Sequence, residues 1–169
     1  METAKKKILD SETIHNIEIV ELKHYQKLYR ELDEPIRSAF DVNNVRILIN
    51  THFGWEIDKE LFKLILTFEY HYSEKGEIIQ IFGFQTESIF HITNMSKLIL
   101  INGDNFNMPK ELMNDLYANS LGNSRGIIYL TNKTNYLNSV LIPFLGIDQS
   151  SPIIKEEAQN RASLKKKTS

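Results

Sequence analysis

Few residues of this chain combine the type and the spacing that enzyme chemistry requires. Two histidine–glutamate pairs are four residues apart, His52 with Glu56 and Glu87 with His91, but this spacing joins side chains only on a helix. The five histidines instead lie in segments that we predict to be strands: His15, His24, His52, His71 and His91. The alternative is a cross-strand site that joins Glu69 and His71 to His52 or His91. We predict hydrogen-bonded or solvated histidines and no metal site.

One pentapeptide has the form of a nucleophile motif. Residues 122–126, GNSRG, match GxSxG with Ser124 in the nucleophile position. That motif must follow a buried strand and open a helix, whereas here a helical pattern precedes it and the extended string IIYL follows. We therefore interpret the glycines as a helix stop. No phosphate-binding glycine motif and no cysteine occur in the chain. The sequence predicts no catalytic residues, no cofactor and no enzymatic activity.

Composition limits the class of protein further. The chain has 169 residues, 41% of them hydrophobic, which suits one domain with a substantial core. A net charge of −2 favours no nucleic-acid partner, because counterion release needs a broad basic surface. The absence of cysteine suits a reducing compartment. No apolar leader follows the first basic residues and no segment is long enough to span a bilayer. We expect a cytoplasmic protein without membrane insertion.

We predict that the chain divides into a flexible arm over residues 1–12, a single domain over 13–148 and a disordered tail over 149–169. Alternating apolar residues predict strands over 14–25 and 45–53, joined by a long crossover in which Pro35 breaks a short helical segment. After a long hairpin, a helix begins at Pro109 and ends at Gly122. An extended IIYL and a second, shorter helix that stops at Pro143 follow.

The hairpin over residues 61–92 is predicted to turn at SEKG, residues 73–76. With Tyr72 opposite Glu77, the register places Phe68 opposite Ile81 on one largely apolar face. The other face is mixed, and we place Phe82 there beside Ile65, Thr67 and Ile78. Because a monomer would expose this mixed face, we predict at least a dimer.

The order of these elements and one string after the hairpin carry a family resemblance. The string FNMPKELMNDLYANSLGNSRGIIYLTNKTNYLNSVLIPFL, with Pro109, Gly126, Leu130 and Leu141 in characteristic places, resembles the bacterial protein-export chaperone family SecB over about residues 14–147. The resemblance implies an α+β fold: a four-stranded antiparallel sheet with two carboxy-terminal helices packed on one face. It also implies homodimers or homotetramers.

The resemblance further implies a function. SecB-like proteins bind unfolded or extended polypeptide without ATP, for export or for a dedicated client such as an antitoxin. The export motor is a further partner that the resemblance suggests. The motor docks on the acidic sheet surface of the export chaperones, whereas this chain is nearly balanced in charge and carries Lys165, Lys166 and Lys167 near its end.

A protein that holds unfolded chains needs exposed apolar surface, because each buried leucine or phenylalanine of a client contributes roughly 1.5–3 kcal/mol. We select candidate binding residues from the crossover, the region after the second strand and the last helix: Tyr29, Ile36, Phe40, Trp55, Tyr136, Leu137, Val140, Leu141 and Phe144. The alternative for each is a place in the core, and for Trp55 a turn anchor. The alternative function is a structural or adaptor protein with one folded partner.

Overall fold

The main feature of the molecule is one antiparallel sheet of four long strands. A computed structural model describes residues 16–74, 76–102 and 105–142, so the predicted arm, the predicted tail and Phe144 lie outside the described residues. The sheet has the order β1-β4-β3-β2 and contains β1 (Ile17–Tyr29), β2 (Val45–Glu56), β3 (Leu61–Glu74) and β4 (Glu77–Ile92). The α+β class and the four-stranded antiparallel sheet are thereby confirmed.

The segment between β1 and β2 crosses the end of the sheet, because these two strands form its opposite edges. It contains the short helix α1 (Glu34–Ser38) and a single 3₁₀ turn, Val42–Asn44. We predicted that Pro35 breaks this helix, but it lies in the first turn instead. A proline is tolerated there because the amide that it lacks has no partner within the helix. Both flanking strands run longer than predicted, β1 to Tyr29 and β2 past Gly54 to Glu56.

The hairpin of β3 and β4 forms, but its predicted register is wrong. Glu74 lies opposite Glu77, so only residues 75 and 76 separate the strands, and Gly76 supplies a positive φ of 87° that suits so tight a turn. A bulge next to Tyr70 shifts the pairing by one more residue. Phe68 therefore faces Phe84, and Phe82 faces Tyr70 in the core instead of the open face.

A single long helix, α3 (Lys110–Asn132), follows the sheet. It continues through Gly122, Gly126 and the IIYL string, so the predicted helix stop and extended segment are wrong. Only turns follow over residues 133–139, and the part of the chain that the structure describes contains one carboxy-terminal helix instead of the predicted two. Each interior glycine costs about 1 kcal/mol relative to alanine. Burial of a stripe that includes Leu121, Ser124 and Ile128 outweighs this cost.

The helix packs on one face of the sheet, here called the inner face. This face carries the even-numbered side chains of β3 from Phe62 to Tyr72, all of them buried. Tyr117 of α3 hydrogen-bonds Thr51 of β2, and Ser124 lies 2.6 Å from the hydroxyl of Thr86 in β4. The helix therefore lies across the sheet from β2 to β4. The opposite, outer face has no helix of the described residues packed on it.

Three small elements lie between the sheet and α3 along the chain. They are the short helix α2 (Met95–Leu98) and the paired strands β5 (Leu100–Asn102) and β6 (Asn105–Asn107). Met95 is fully buried, and Phe106 packs against aromatic rings of β2 and β3. These elements close the end of the core that lies farthest from the crossover.

Candidate functional site

Three of the predicted binding residues meet in one aromatic cluster at the crossover end of the sheet. The ring of Phe40 lies 5.0 Å from that of Tyr72 and 5.1 Å from that of Tyr136. The ring of Tyr29 lies 6.0 Å from that of Tyr136. The Tyr136 hydroxyl donates a hydrogen bond of 2.5 Å to the carbonyl oxygen of Arg30. We call Tyr29, Phe40, Tyr72 and Tyr136 the crossover cluster, because they tie the crossover to the chain after α3.

Two tyrosines of the crossover cluster, Tyr29 and Tyr136, stay neutral well above physiological pH. Burial raises the pKa of Tyr136 to about 12, and the nearby Tyr29 and Glu31 add to this shift. Burial also raises the pKa of Tyr29, again with a contribution from Glu31. Tyr29 and Tyr136 therefore act as neutral rings with polar edges and present apolar surface.

Three further predicted residues border an open cavity of about 270 Å³ between the end of α3 and the chain that follows it. Leu137 is buried at the base of this cavity, Val140 is half-buried, and Leu141 is 70% exposed. Tyr129 of α3 also lines the cavity and is 52% exposed. We call Tyr129, Leu137, Val140 and Leu141 the C-terminal groove.

Trp55 belongs to a separate aromatic cluster. Its ring lies 5.2 Å from that of Phe106, which also contacts Phe53 at 5.2 Å and Phe62 at 5.8 Å. Trp55 pairs with Phe62, ten residues along β3 from Tyr72, which corresponds to about 34 Å. The two ends of the inner face therefore each carry an aromatic cluster, and Trp55 does not meet the other predicted residues.

The structure thus divides the predicted residues into groups instead of one site. Tyr29, Phe40 and Tyr136 share the crossover cluster, and Leu137, Val140 and Leu141 share the C-terminal groove. Ile36 is half-buried in α1 and packs against the core. The prediction missed Tyr129, because it placed this residue in an extended segment. Its helical spacing from Gly122 and Gly126 on an exposed face was the signal that could have found it.

Two histidines lie next to glutamates, and the serine of the GNSRG motif is buried in α3. His71 lies 3.3 Å from Glu69, and His91 lies 3.5 Å from Glu60. Across residues 16–74, 76–102 and 105–142, no three acidic or histidine side chains lie close enough together to hold a metal ion. Ser124 is fully buried within α3, where its hydroxyl donates to the carbonyl oxygen of Ser120. A substrate could not reach it.

The comparisons with known proteins give little further information. No family model matches the chain, and no curated protein matches it. The crystal structure of a protein of unknown function from Streptococcus agalactiae is similar, with 13% sequence identity, 80% of this chain and 95% of that chain covered, and a TM-score of 0.28. At that TM-score the likeness carries no argument about function. In the described part of the chain, no helix has the length and hydropathy needed to cross a membrane.

Proposed function

We propose that this protein is a SecB-like, ATP-independent chaperone of the cytoplasm that holds unfolded or extended polypeptide. The observation that carries the proposal is the C-terminal groove. It combines a cavity with two large apolar side chains, Tyr129 and Leu141, each more than half exposed. A folded domain gains nothing from such exposure, whereas an apolar client segment would cover it.

The groove has the energetic properties that a holdase needs. Burying one large apolar side chain contributes roughly 1.5–3 kcal/mol, which alone gives weak binding. A client that contacts several such positions along one extended segment gains affinity through the effective concentration of each next contact. This gain in affinity requires a client with several apolar residues along one segment. Unfolded chains of many different sequences contain such segments.

The arrangement of the sheet supports the same proposal. The four-stranded antiparallel sheet and the packing of α3 on one of its faces support the scaffold that the SecB resemblance implies, with one carboxy-terminal helix in place of the two expected. The charges of the outer face do not favour an export motor as partner. They include an internal pair, with Lys63 3.0 Å from Glu87, and Lys23 pairs with Glu21 at the sheet edge. We therefore propose polypeptide clients without the motor.

Assembly into a homodimer or homotetramer is part of the proposal. Its support is not the mixed face that the sequence suggested, since Phe82 is buried. Instead, the edge strand β1 exposes five large apolar side chains by 38–52%: Ile17, Ile19, Val20, Leu22 and Tyr25. Among the described residues of a single chain, these side chains stay partly exposed to water, which favours a partner at this edge.

The activity is tested by suppression of aggregation. We expect near-stoichiometric amounts of the protein to suppress light scattering by several unrelated denatured proteins, equally with and without ATP. Suppression limited to one client, or binding only to one folded partner, would instead support the adaptor function. Failure against every client with the protein folded and in excess would overturn the proposal.

The place of the client is tested by a variant of the C-terminal groove. Replacing Tyr129 and Leu141 together by serine should weaken client binding about ten-fold or more, while the melting temperature changes little because both side chains are more than half exposed. Ile78→Ser is the matched control, since Ile78 is 72% exposed at the start of β4 and lies outside the groove. Equal client binding by both variants would remove the groove from the site.

A further inference from the structure

We propose that an extended client segment also adds as a fifth strand to the free edge of β2. This inference rests on the proposed function and names the main chain of the client as a second recognition element. The strand order places β3 on one side of β2 and no strand of the described sheet on the other. Such an edge presents a row of backbone N–H and C=O groups that a further strand can pair with.

The two edges of the sheet differ in regularity. β1 pairs with β4 through two register shifts, one after Ile19 and one after Gln26. β2 pairs with β3 without interruption from Val45 opposite Tyr72 to Glu56 opposite Leu61. Bulges disturb the outward hydrogen-bonding groups of an edge and hinder the addition of a strand. β2 therefore offers the longer regular template of the two.

The side chains of β2 define the chemistry of the segment that would fit. Its inner row is half-buried and packs against the core: Val45, Ile47, Ile49, Phe53 and Trp55. Its outer row is mostly polar and exposed, with Arg46 and Asn50 among its members. A neighbouring strand would continue both rows, so the client segment is one of alternating apolar and polar residues with little net charge.

The edge also connects the two aromatic clusters. Val45 faces Tyr72 of the crossover cluster, whereas Trp55 contacts Phe106 at the far end. A segment paired along all of β2 would pass both clusters. Main-chain hydrogen bonds do not depend on client sequence, whereas the flanking side chains select apolar segments. This combination suits a protein that accepts many unfolded chains.

A second copy of this chain fits β1 better than β2. β1 carries five exposed large apolar side chains, whereas β2 carries one, Leu48. The charges of β1 are also self-complementary, because Glu18 and Glu21 precede Lys23 and Lys27 and would face them in an antiparallel pair. A copy bound at β1 would leave the edge of β2 free for the client.

The position of the client segment is tested by disulfide cross-linking, which reports only on introduced cysteines because the chain has none of its own. The probe is a peptide of about ten residues that alternates valine and threonine, with lysine at both ends and one central threonine replaced by cysteine. Asn50→Cys in β2 should cross-link to it, and Glu77→Cys is the control, because Glu77 is exposed at the start of β4 and lies on neither edge strand. Equal cross-linking at residues 50 and 77, or Asn50→Cys chains that cross-link to each other without peptide, would overturn the proposal.

The role of the main chain is tested by N-methylation of alternate amides of the same peptide. One isomer carries methyl groups on its valine amides, the other on its threonine amides, and the two present opposite edges. Strand addition predicts affinities that differ by about ten-fold, since one isomer loses several hydrogen bonds to β2. Equal affinities would overturn it. If the protein suppresses aggregation but does not bind the peptide, the strand addition alone is overturned. If it neither suppresses aggregation nor binds the peptide, the proposed function is overturned as well.

Discussion

At the scale of single residues, a buried pair of hydroxyls under α3 gives the first prediction. The Ser124 hydroxyl donates to the carbonyl oxygen of Ser120 and accepts from Thr86, 2.6 Å away. Ser124→Ala should lower the free energy of unfolding by about 1–2 kcal/mol, because the buried Thr86 hydroxyl loses this partner. Urea denaturation measures the change.

Ser120→Ala is the matched control for that experiment. Ser120 is equally buried in α3, but its hydroxyl has no hydrogen-bond partner among the described residues. Its removal should leave the stability unchanged or raise it, since an unpaired buried hydroxyl is unfavourable. Equal destabilisation by the two variants would show that the Thr86–Ser124 contact does not stabilise the packing of the helix.

The second prediction concerns alkaline pH and Tyr136. The pKa of Tyr136 is raised from its ordinary value of 10.0 to about 12, mainly by burial. Between these values the folded state holds the proton more tightly than the unfolded state, so stability falls as pH rises. We expect melting temperatures to decline above about pH 10. The decline should be smaller in Tyr136→Phe, although the buried Tyr70 and Tyr117 still contribute. Identical pH profiles would contradict this assignment.

At the scale of elements, the third prediction tests the continuity of α3. A Cβ added at Gly126 meets no atom within 4 Å, and the residue lies inside the helix. Gly126→Ala should therefore raise the free energy of unfolding by about 1 kcal/mol. Gly76→Ala is the contrasting variant, because Gly76 has a φ of 87° and alanine there should destabilise. A destabilising Gly126→Ala would instead fit a turn at this position.

The elements also show where sequence patterns suffice. Alternation identified all four long strands, and Pro109 marked the start of α3, because these signals are local. The stop at Gly122 was wrong because burial of Ser124 and Ile128 against the sheet, which local sequence does not report, outweighs the cost of glycine. The hairpin register was wrong because the strands continue to Glu74 and Glu77 around a two-residue turn, and because a bulge beside Tyr70 shifts the pairing by one further residue.

At the scale of the whole molecule, the candidate site depends on contacts between distant parts of the chain. Tyr29 and Phe40 meet Tyr136 only because the crossover and the chain after α3 reach the same end of the sheet. Residue type could suggest that these residues form apolar surface. Local periodicity could not show that they contact each other, because they are far apart along the chain. Trp55 was grouped with them in the sequence and lies at the opposite end of the fold.

The last prediction concerns assembly through β1. We expect light scattering to give at least twice the chain mass of 19.7 kDa, with two β1 strands paired antiparallel. Reversing Glu18 and Glu21 to lysine should weaken the assembly, because each strand would then present only positive charge to its partner. Adding Lys23→Glu and Lys27→Glu should restore it, since the complete exchange recovers complementary halves. Failure of the fourfold variant to recover the oligomer, or a wild-type protein that keeps the mass of a single chain at micromolar concentrations, would rule out this edge as the interface.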